Sequence, residues 1–350
     1  MKWRLAFMIC SLLIGSCAPR VGVRDDVILA KNVPMKLSAY GLFTDAGAKI
    51  PAQGVLPYKL NTALFSDYAD KRRYVYVPTG QQIAYKAEGA FEFPIGSVLV
   101  KTFEYHAKLG DMASPVRTLE TRLLVRTAAG WEGRPYIWNA AGTEAVLTPV
   151  GGPIDVQVHE ASDKIMSIAY RVPNQNQCKT CHQSGGEISP IGPKAGNLNG
   201  DFPYESGTEN QLSHWTKIGI LSGAPDPTDA PKLADFSNLS LSAEARSRAW
   251  LDINCGHCHK ADGAASNTGL YLTAATTDPA QLGIGRRPVS AGKGSGELLF
   301  DVVPGHPEQS ILFHRIDSTE PGVAMPELGR TIVHKEAVEA IRTWIVEMKE

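Results

Sequence analysis

The chain has 350 residues, with 35 Lys and Arg against 36 Asp and Glu and a net charge of −1 at pH 7. That balance excludes the basic footprint of a nucleic-acid-binding protein. The length suffices for two or three domains, and 33 glycines and 23 prolines imply many turns.

Residues 1–16 read as a signal peptide: Lys2 and Arg4, an apolar run from Leu5 to Leu13, then Ile14-Gly15-Ser16-Cys17. The run is too short to span a bilayer. Its Gly-Ser-Cys ending resembles a bacterial lipobox, which makes Cys17 the expected acylated first residue of the mature chain; ordinary cleavage beside an incidental cysteine is the alternative. Cys10 leaves with the peptide. No later segment is long and apolar enough to cross a membrane, so membrane contact is expected through lipid alone, with residues 17–36 as a tether. The expected location is the periplasmic side of a bacterial membrane, the outer membrane being favoured by Ala18.

Residues 37–172 carry β-branched and aromatic runs broken by Gly, Pro and Asn: Tyr74–Val77, Gly96–Tyr105, Thr118–Thr127, Pro135–Trp138, Ile154–Val158 and Ile165–Val172. Strands of this spacing predict a β-rich domain, an antiparallel sandwich or barrel. Within it Asn61–Arg73 is polar and aromatic. It reads as a capped, solvated connection, with a docking surface or ligand loop as the alternative, and Lys71-Arg72-Arg73 reads as a solvated edge.

Residues 173–238 contain Cys178-Lys-Thr-Cys181-His182. No helix is expected before Cys178, because Tyr170–Pro173 looks like the end of a strand and Asn174–Gln177 like a turn. A possible short helix at Glu209–Ile218 carries His214. Residues 239–350 contain Cys255-Gly-His-Cys258-His259. A helix capped by Ser242 should run through Ala245, Ala249, Trp250 and Ile253 into Cys255. A last helix over His334–Met348 places Ala337, Val338, Ile341, Trp344, Ile345 and Met348 on one face. The prediction for this part is a mostly α-helical domain like a class I cytochrome c, in which the first and last helices cross.

Cys-x-x-Cys-His is the pattern of covalent c-type haem attachment: two thiols reach the two vinyl groups on one porphyrin edge while the adjacent imidazole becomes the proximal iron ligand. A zinc ribbon is the first alternative, but its Cys pairs usually lie about 15 to 20 residues apart, whereas Cys181 and Cys255 are 74 positions apart. Disulfides leave both histidines unexplained, and a thioredoxin-like site needs a βαβ setting that is absent. The expected cofactors are two covalent haem c groups, anchored by Cys178, Cys181, Cys255 and Cys258, with His182 and His259 as proximal ligands.

Met325, followed by Pro326, lies 66 residues after His259. Its position before the last helix makes it the candidate sixth ligand of the second haem, a soft sulfur that favours reduced iron, with a core role as the alternative. For the first haem, Ile191-Gly192-Pro193 resembles the turn whose proline carbonyl accepts a hydrogen bond from a proximal imidazole, and the site is expected at the seam between the two domains. Its sixth ligand stays open. His214 is the first candidate, ahead of Met166, His106, His159 and Met112, while His257 should point away from its own iron.

The segments Leu56–Tyr68, Pro94–Phe103, Glu120–Arg126, Asn176–His182, Pro190–Asn199, Asn254–His259 and Met325–Arg330 together resemble a family of exported bacterial di-haem c-type cytochromes of uncharacterised role. The resemblance implies two covalent haems and an exported location, and brings no settled substrate or partner. The functional expectation is a lipid-anchored periplasmic cytochrome that transfers electrons to an unidentified redox protein. Two alternatives stand beside it: a di-haem peroxidase or oxidase with an open first haem, and a β domain that binds a polymer or partner while the haems deliver electrons.

Overall fold

The computed structural model describes residues 22–349; the signal segment and Cys17 lie outside them. Six strands form one antiparallel sheet in the order β1 (Val55–Tyr58), β2 (Asp70–Tyr76), β3 (Val98–His106), β4 (Val116–Thr127), β5 (Gly130–Trp138) and β6 (Ala145–Leu147). Period-two alternation puts Tyr74, Tyr76, Val98, Val100, Leu123 and Val125 on one face, where they cover the core shared with Ile28, Leu37 and Tyr40. Val75 and Leu99 face the other side, against Leu198, Leu212 and Trp215. A two-stranded ribbon, β7 (Gly152–His159) and β8 (Ile165–Val172), buries Val156, Val158, Ile168 and Tyr170 against Phe103 and Leu119.

The helices that matter for the site are α1 (Gln175–His182), α2 (Gln211–Lys217), α3 (Ala243–Asn254), α4 (Ile311–Ile316) and α5 (Lys335–Glu347). Trp250 and Leu251 of α3 share a core with Ile341, Trp344 and Ile345 of α5 and with Leu312 and Phe313 of α4. None of the helices among the described residues is long and apolar enough to cross a membrane.

This architecture corrects the expected fold class. The β-rich part is a single open sheet with attached ribbons, neither a sandwich nor a closed barrel. The C-terminal part is not a mostly α-helical cytochrome c-like domain: helix makes up 21% of the structure. Between α3 and α4 the chain makes only short 3-10 turns at Ser266–Thr268, Gly292–Ser295 and Pro307–Gln309. The cause is visible in the backbone, since Gly269, Gly283, Gly285, Gly292, Gly296 and Gly305 all adopt positive φ. A helix cannot propagate through residues of that hand.

The stretch after Asn61 is also not a solvated connection. It is a buried clamp between the sheet and the C-terminal segment. The Asn61 amide donates to the carbonyls of Gly196, Asn199 and Leu233 at 3.2, 3.0 and 3.1 Å. Phe65 N–H donates to Asn254 Oδ1 at 2.7 Å. Asp67 accepts from Thr331 N–H at 2.6 Å, Ile332 N–H at 3.0 Å and the Thr331 hydroxyl at 3.1 Å. Burial pushes its carboxyl up and the Thr331 and Ile332 hydrogen bonds oppose that rise. Asp67 and Tyr68 both sit at left-handed φ, 53° and 62°, a conformation that non-glycine residues keep only where surrounding contacts over-determine it. Lys71-Arg72-Arg73 likewise falls inside β2, with Arg73 buried.

Asp67→Ala leaves two interior backbone N–H groups without an acceptor. It should lower unfolding free energy by about 2 to 3 kcal/mol in urea denaturation, with Asp67→Asn costing less because one amide oxygen remains.

Candidate functional site

The first Cys-x-x-Cys-His motif lies on α1. Asn174 accepts from Gln177 N–H at 2.9 Å and the Gln177 side chain accepts from Asn174 N–H at 3.0 Å, a reciprocal capping box. The expected turn at Asn174–Gln177 is therefore the first turn of a helix. That helix rests on β5 at Gly133, where a Cβ would stand 3.4 Å from Cys178 Cβ. Helical spacing puts Cys178, Cys181 and His182 on one side.

Helix α3 delivers the second motif. The Ser242 hydroxyl accepts from Ala245 N–H at 3.1 Å, and the helix ends at Cys255, where the chain turns so that Cys258 and His259 donate backbone N–H to the Cys255 carbonyl at 3.0 and 2.8 Å. Gly256 is required at this turn, because a Cβ there would meet the Asp252 carbonyl at 2.7 Å.

The hydrogen bonds favour the same tautomer in both imidazoles. His182 Nδ1 lies 2.8 Å from the Ser189 carbonyl, so it carries the proton and Nε2 carries the lone pair. The acceptor is Ser189 and not Pro193. Burial, chiefly, pulls the His182 pKa down to about 3. The Thr268 hydroxyl donates to the Ala265 carbonyl at 2.7 Å, which leaves its oxygen to accept from His259 Nδ1 at 3.4 Å. His259 is lowered too, again by burial first. All four motif cysteines are free thiols. Burial raises each of them, Cys255 to about 12 and Cys258 to about 11.

Each motif faces a cleft. The first, about 1460 Å3 with its open mouth, lies at the seam between the sheet and the C-terminal segment. Leu99, Lys101 and Leu124 line one side, Trp250, Pro326 and Arg330 the other, with Cys178, Cys181 and His182 between them. The second, about 1410 Å3, is lined by Cys255, Cys258, His259, Leu270, Leu312 and Met325. The clefts share a wall: Cys181, Asn254, His257, Pro326 and Leu328 line both.

The loops that follow the two motifs are bonded to each other. Gly185 N–H donates to the Asp262 carbonyl at 3.0 Å, the Ser184 hydroxyl to Asp262 Oδ2 at 2.7 Å, and Lys260 Nζ to Ser184 Oγ at 2.7 Å. Met325 sits on a loop held by Arg330, whose guanidinium donates to the carbonyls of Met325 and Ser318, both at 2.8 Å.

Among the described residues no three His, Cys, Asp or Glu side chains group as a protein-only metal cage. Each Cys-x-x-Cys-His motif instead offers its cleft two thiols and one imidazole lone pair. That donor set fits a metal whose remaining ligands arrive with an organic macrocycle.

The candidates for a further ligand at the first cleft lie elsewhere. His214 stacks on Tyr204 at 3.6 Å and bonds Glu209 at 2.8 Å. His106 and His159 bond the carbonyls of Ser114 and Asp163. Met166 is part of β8, paired with Val158, and packs against the ribbon's core, and Met112 is exposed. None of the five lines either cleft. His257 does, and the sequence reading assigned it no role there; its Nδ1 lies 3.3 Å from the Ile253 carbonyl and burial pulls its pKa down to about 4. Its position in Cys-x-His-Cys-His, one residue before the anchoring cysteine, is the signal that could have found it.

Comparison with known proteins returns no match to a family model, a curated protein or a solved structure.

Proposed function

We propose that this chain is an exported, lipid-anchored electron-transfer protein that carries two covalent haem c groups, one at each Cys-x-x-Cys-His motif. The observation that carries the reading is the convergence of the two motifs. They are 74 residues apart in sequence, yet their clefts share a wall at Cys181 and His257 and their following loops are bonded together. Redox groups held in adjoining clefts would suit transfer from one to the other.

Haem c at each motif supplies a one-electron iron couple. Cys178 and Cys181 would hold one group and Cys255 and Cys258 the other. His182 and His259 offer Nε2 as proximal donors, and their Nδ1 hydrogen bonds to Ser189 and Thr268 fix the ring planes and raise donor strength. Met325, which lines the second cleft, would supply its thioether as a further ligand to the second group. Leu99 and Leu124 in one cleft and Leu270 and Leu312 in the other would add apolar contacts to the bound groups. The electron's destination is an unidentified redox protein, and no nucleic acid is involved.

Replacing Cys178 and Cys181 together by Ala should halve the haem released as pyridine haemochrome. Undiminished haem, or stoichiometric zinc in the wild type, would overturn the assignment.

Met325→His should lower the potential of the second haem while keeping it low-spin, because imidazole is the stronger donor to ferric iron, and Met325→Ala should open that position to cyanide. Redox titration of a variant lacking the first haem reads both effects without overlap.

Anchoring is proposed at Cys17, since two acyl chains give stable membrane attachment and one does not. Cys17→Ser should move the protein from the membrane to the soluble periplasmic fraction.

A further inference from the structure

The wall of the first cleft that belongs to the sheet carries a ladder of like charges. Register places Arg73 of β2 opposite Lys101 of β3, and Lys101 opposite Arg122 of β4. All three line the cleft beside His182. Like charges directly opposite each other across antiparallel strands are destabilising, and taking them out of water adds a cost of its own.

The protein compensates only one end of this ladder. Arg122 makes a two-point pair with Glu120, at 2.8 Å from Nε and 2.5 Å from Nη2, and Glu120 also accepts the Tyr170 hydroxyl at 2.5 Å. That carboxylate is fully engaged. Arg73, 9% exposed, makes one hydrogen bond, from Nη1 to the Lys71 carbonyl at 3.2 Å. Lys101 Nζ meets no hydrogen-bond acceptor among the described residues; it lies 5.4 Å from the centre of the Phe103 ring, and Glu120, already paired with Arg122, supplies part of its counter-charge. Lys71, two residues along the same face, bonds the Ala69 carbonyl at 2.8 Å and adds a further cation. Burial first, then the neighbouring Arg122 and Arg73, bring Lys101 down to about 7 against the opposing pull of Glu120 and Cys178.

We propose that Arg73 and Lys101, backed by Arg122, form a binding site for a carboxylate or small oxyanion on the sheet wall of the first cleft. One planar guanidinium, Arg73, and one mobile ammonium, Lys101, suit an oxygen pair, with the Glu120-bound Arg122 adding charge behind them. The oxygens come either from a carboxylate of the group bound in the cleft or from a free oxyanion that enters it. The proposal rests on the di-haem reading for its redox readout only.

The test uses the full-length holoprotein, its Lys101→Gln and Arg73→Gln variants, and Lys101→Arg as the conservative control, with haem content measured independently as pyridine haemochrome. If a cofactor carboxylate occupies the site, both Gln variants lower the first haem's potential, Lys101→Arg restores it, and inorganic phosphate has no saturable effect. If a free oxyanion occupies it, phosphate binds the wild type saturably by calorimetry and lowers that potential, and Lys101→Gln weakens the binding about tenfold. The calorimetric measurement stands even in a preparation without haem, so loss of the haem reading and loss of this site are separate results. The proposal is overturned if phosphate does not bind and neither Gln variant shifts a potential.

Discussion

The structure depends on the clamp formed by Asn61, Phe65 and Asp67. From one short stretch of chain, Asn61 reaches the carbonyls that follow the first motif, Phe65 holds Asn254 immediately before Cys255, and Asp67 holds Thr331 and Ile332 beyond Met325. Asn61 and Asp67 are buried and their partners at least half-buried, so each partner lost leaves a penalty of about 1 to 3 kcal/mol. The clamp therefore sets where the second motif and its methionine loop stand against the sheet that supports the first.

Once that placement is made, burial controls the chemistry of the donors. It lowers His182, His257 and His259 and raises the four thiols. Neutral imidazoles with Nδ1 hydrogen-bonded are ready as Nε2 donors without first losing a proton. The same withdrawal from water makes the Arg73–Lys101–Arg122 ladder expensive. A cleft that holds neutral donors on one wall and poorly compensated cations on another is asymmetric in charge, and an anionic edge would match it.

The segments read as strands all overlap strands of the sheet or its ribbon, and the helix leading to Cys255 and the last helix were legible from capping and period. These are local signals: a side chain every second residue, or an apolar stripe at 3.6. The overall class was not legible. A helical C-terminal domain followed from analogy with haem motifs, whereas the glycines between α3 and α4 take positive φ and the chain there folds as turns. The first motif's helix was missed because the Asn174–Gln177 capping box follows a strand and a proline, where a turn is the default reading.

The sequence by itself determined the two Cys-x-x-Cys-His motifs, the histidine that ends each and the position of Met325, because motif spacing is a property of neighbours in the chain. Only the tertiary structure decided that the motifs share a wall, that His214 stands away from both clefts, that His257 lies between them, and that Arg73, Lys101 and Arg122 stand in one row. Those facts depend on strand register and on contacts between residues far apart in sequence, which no local pattern encodes.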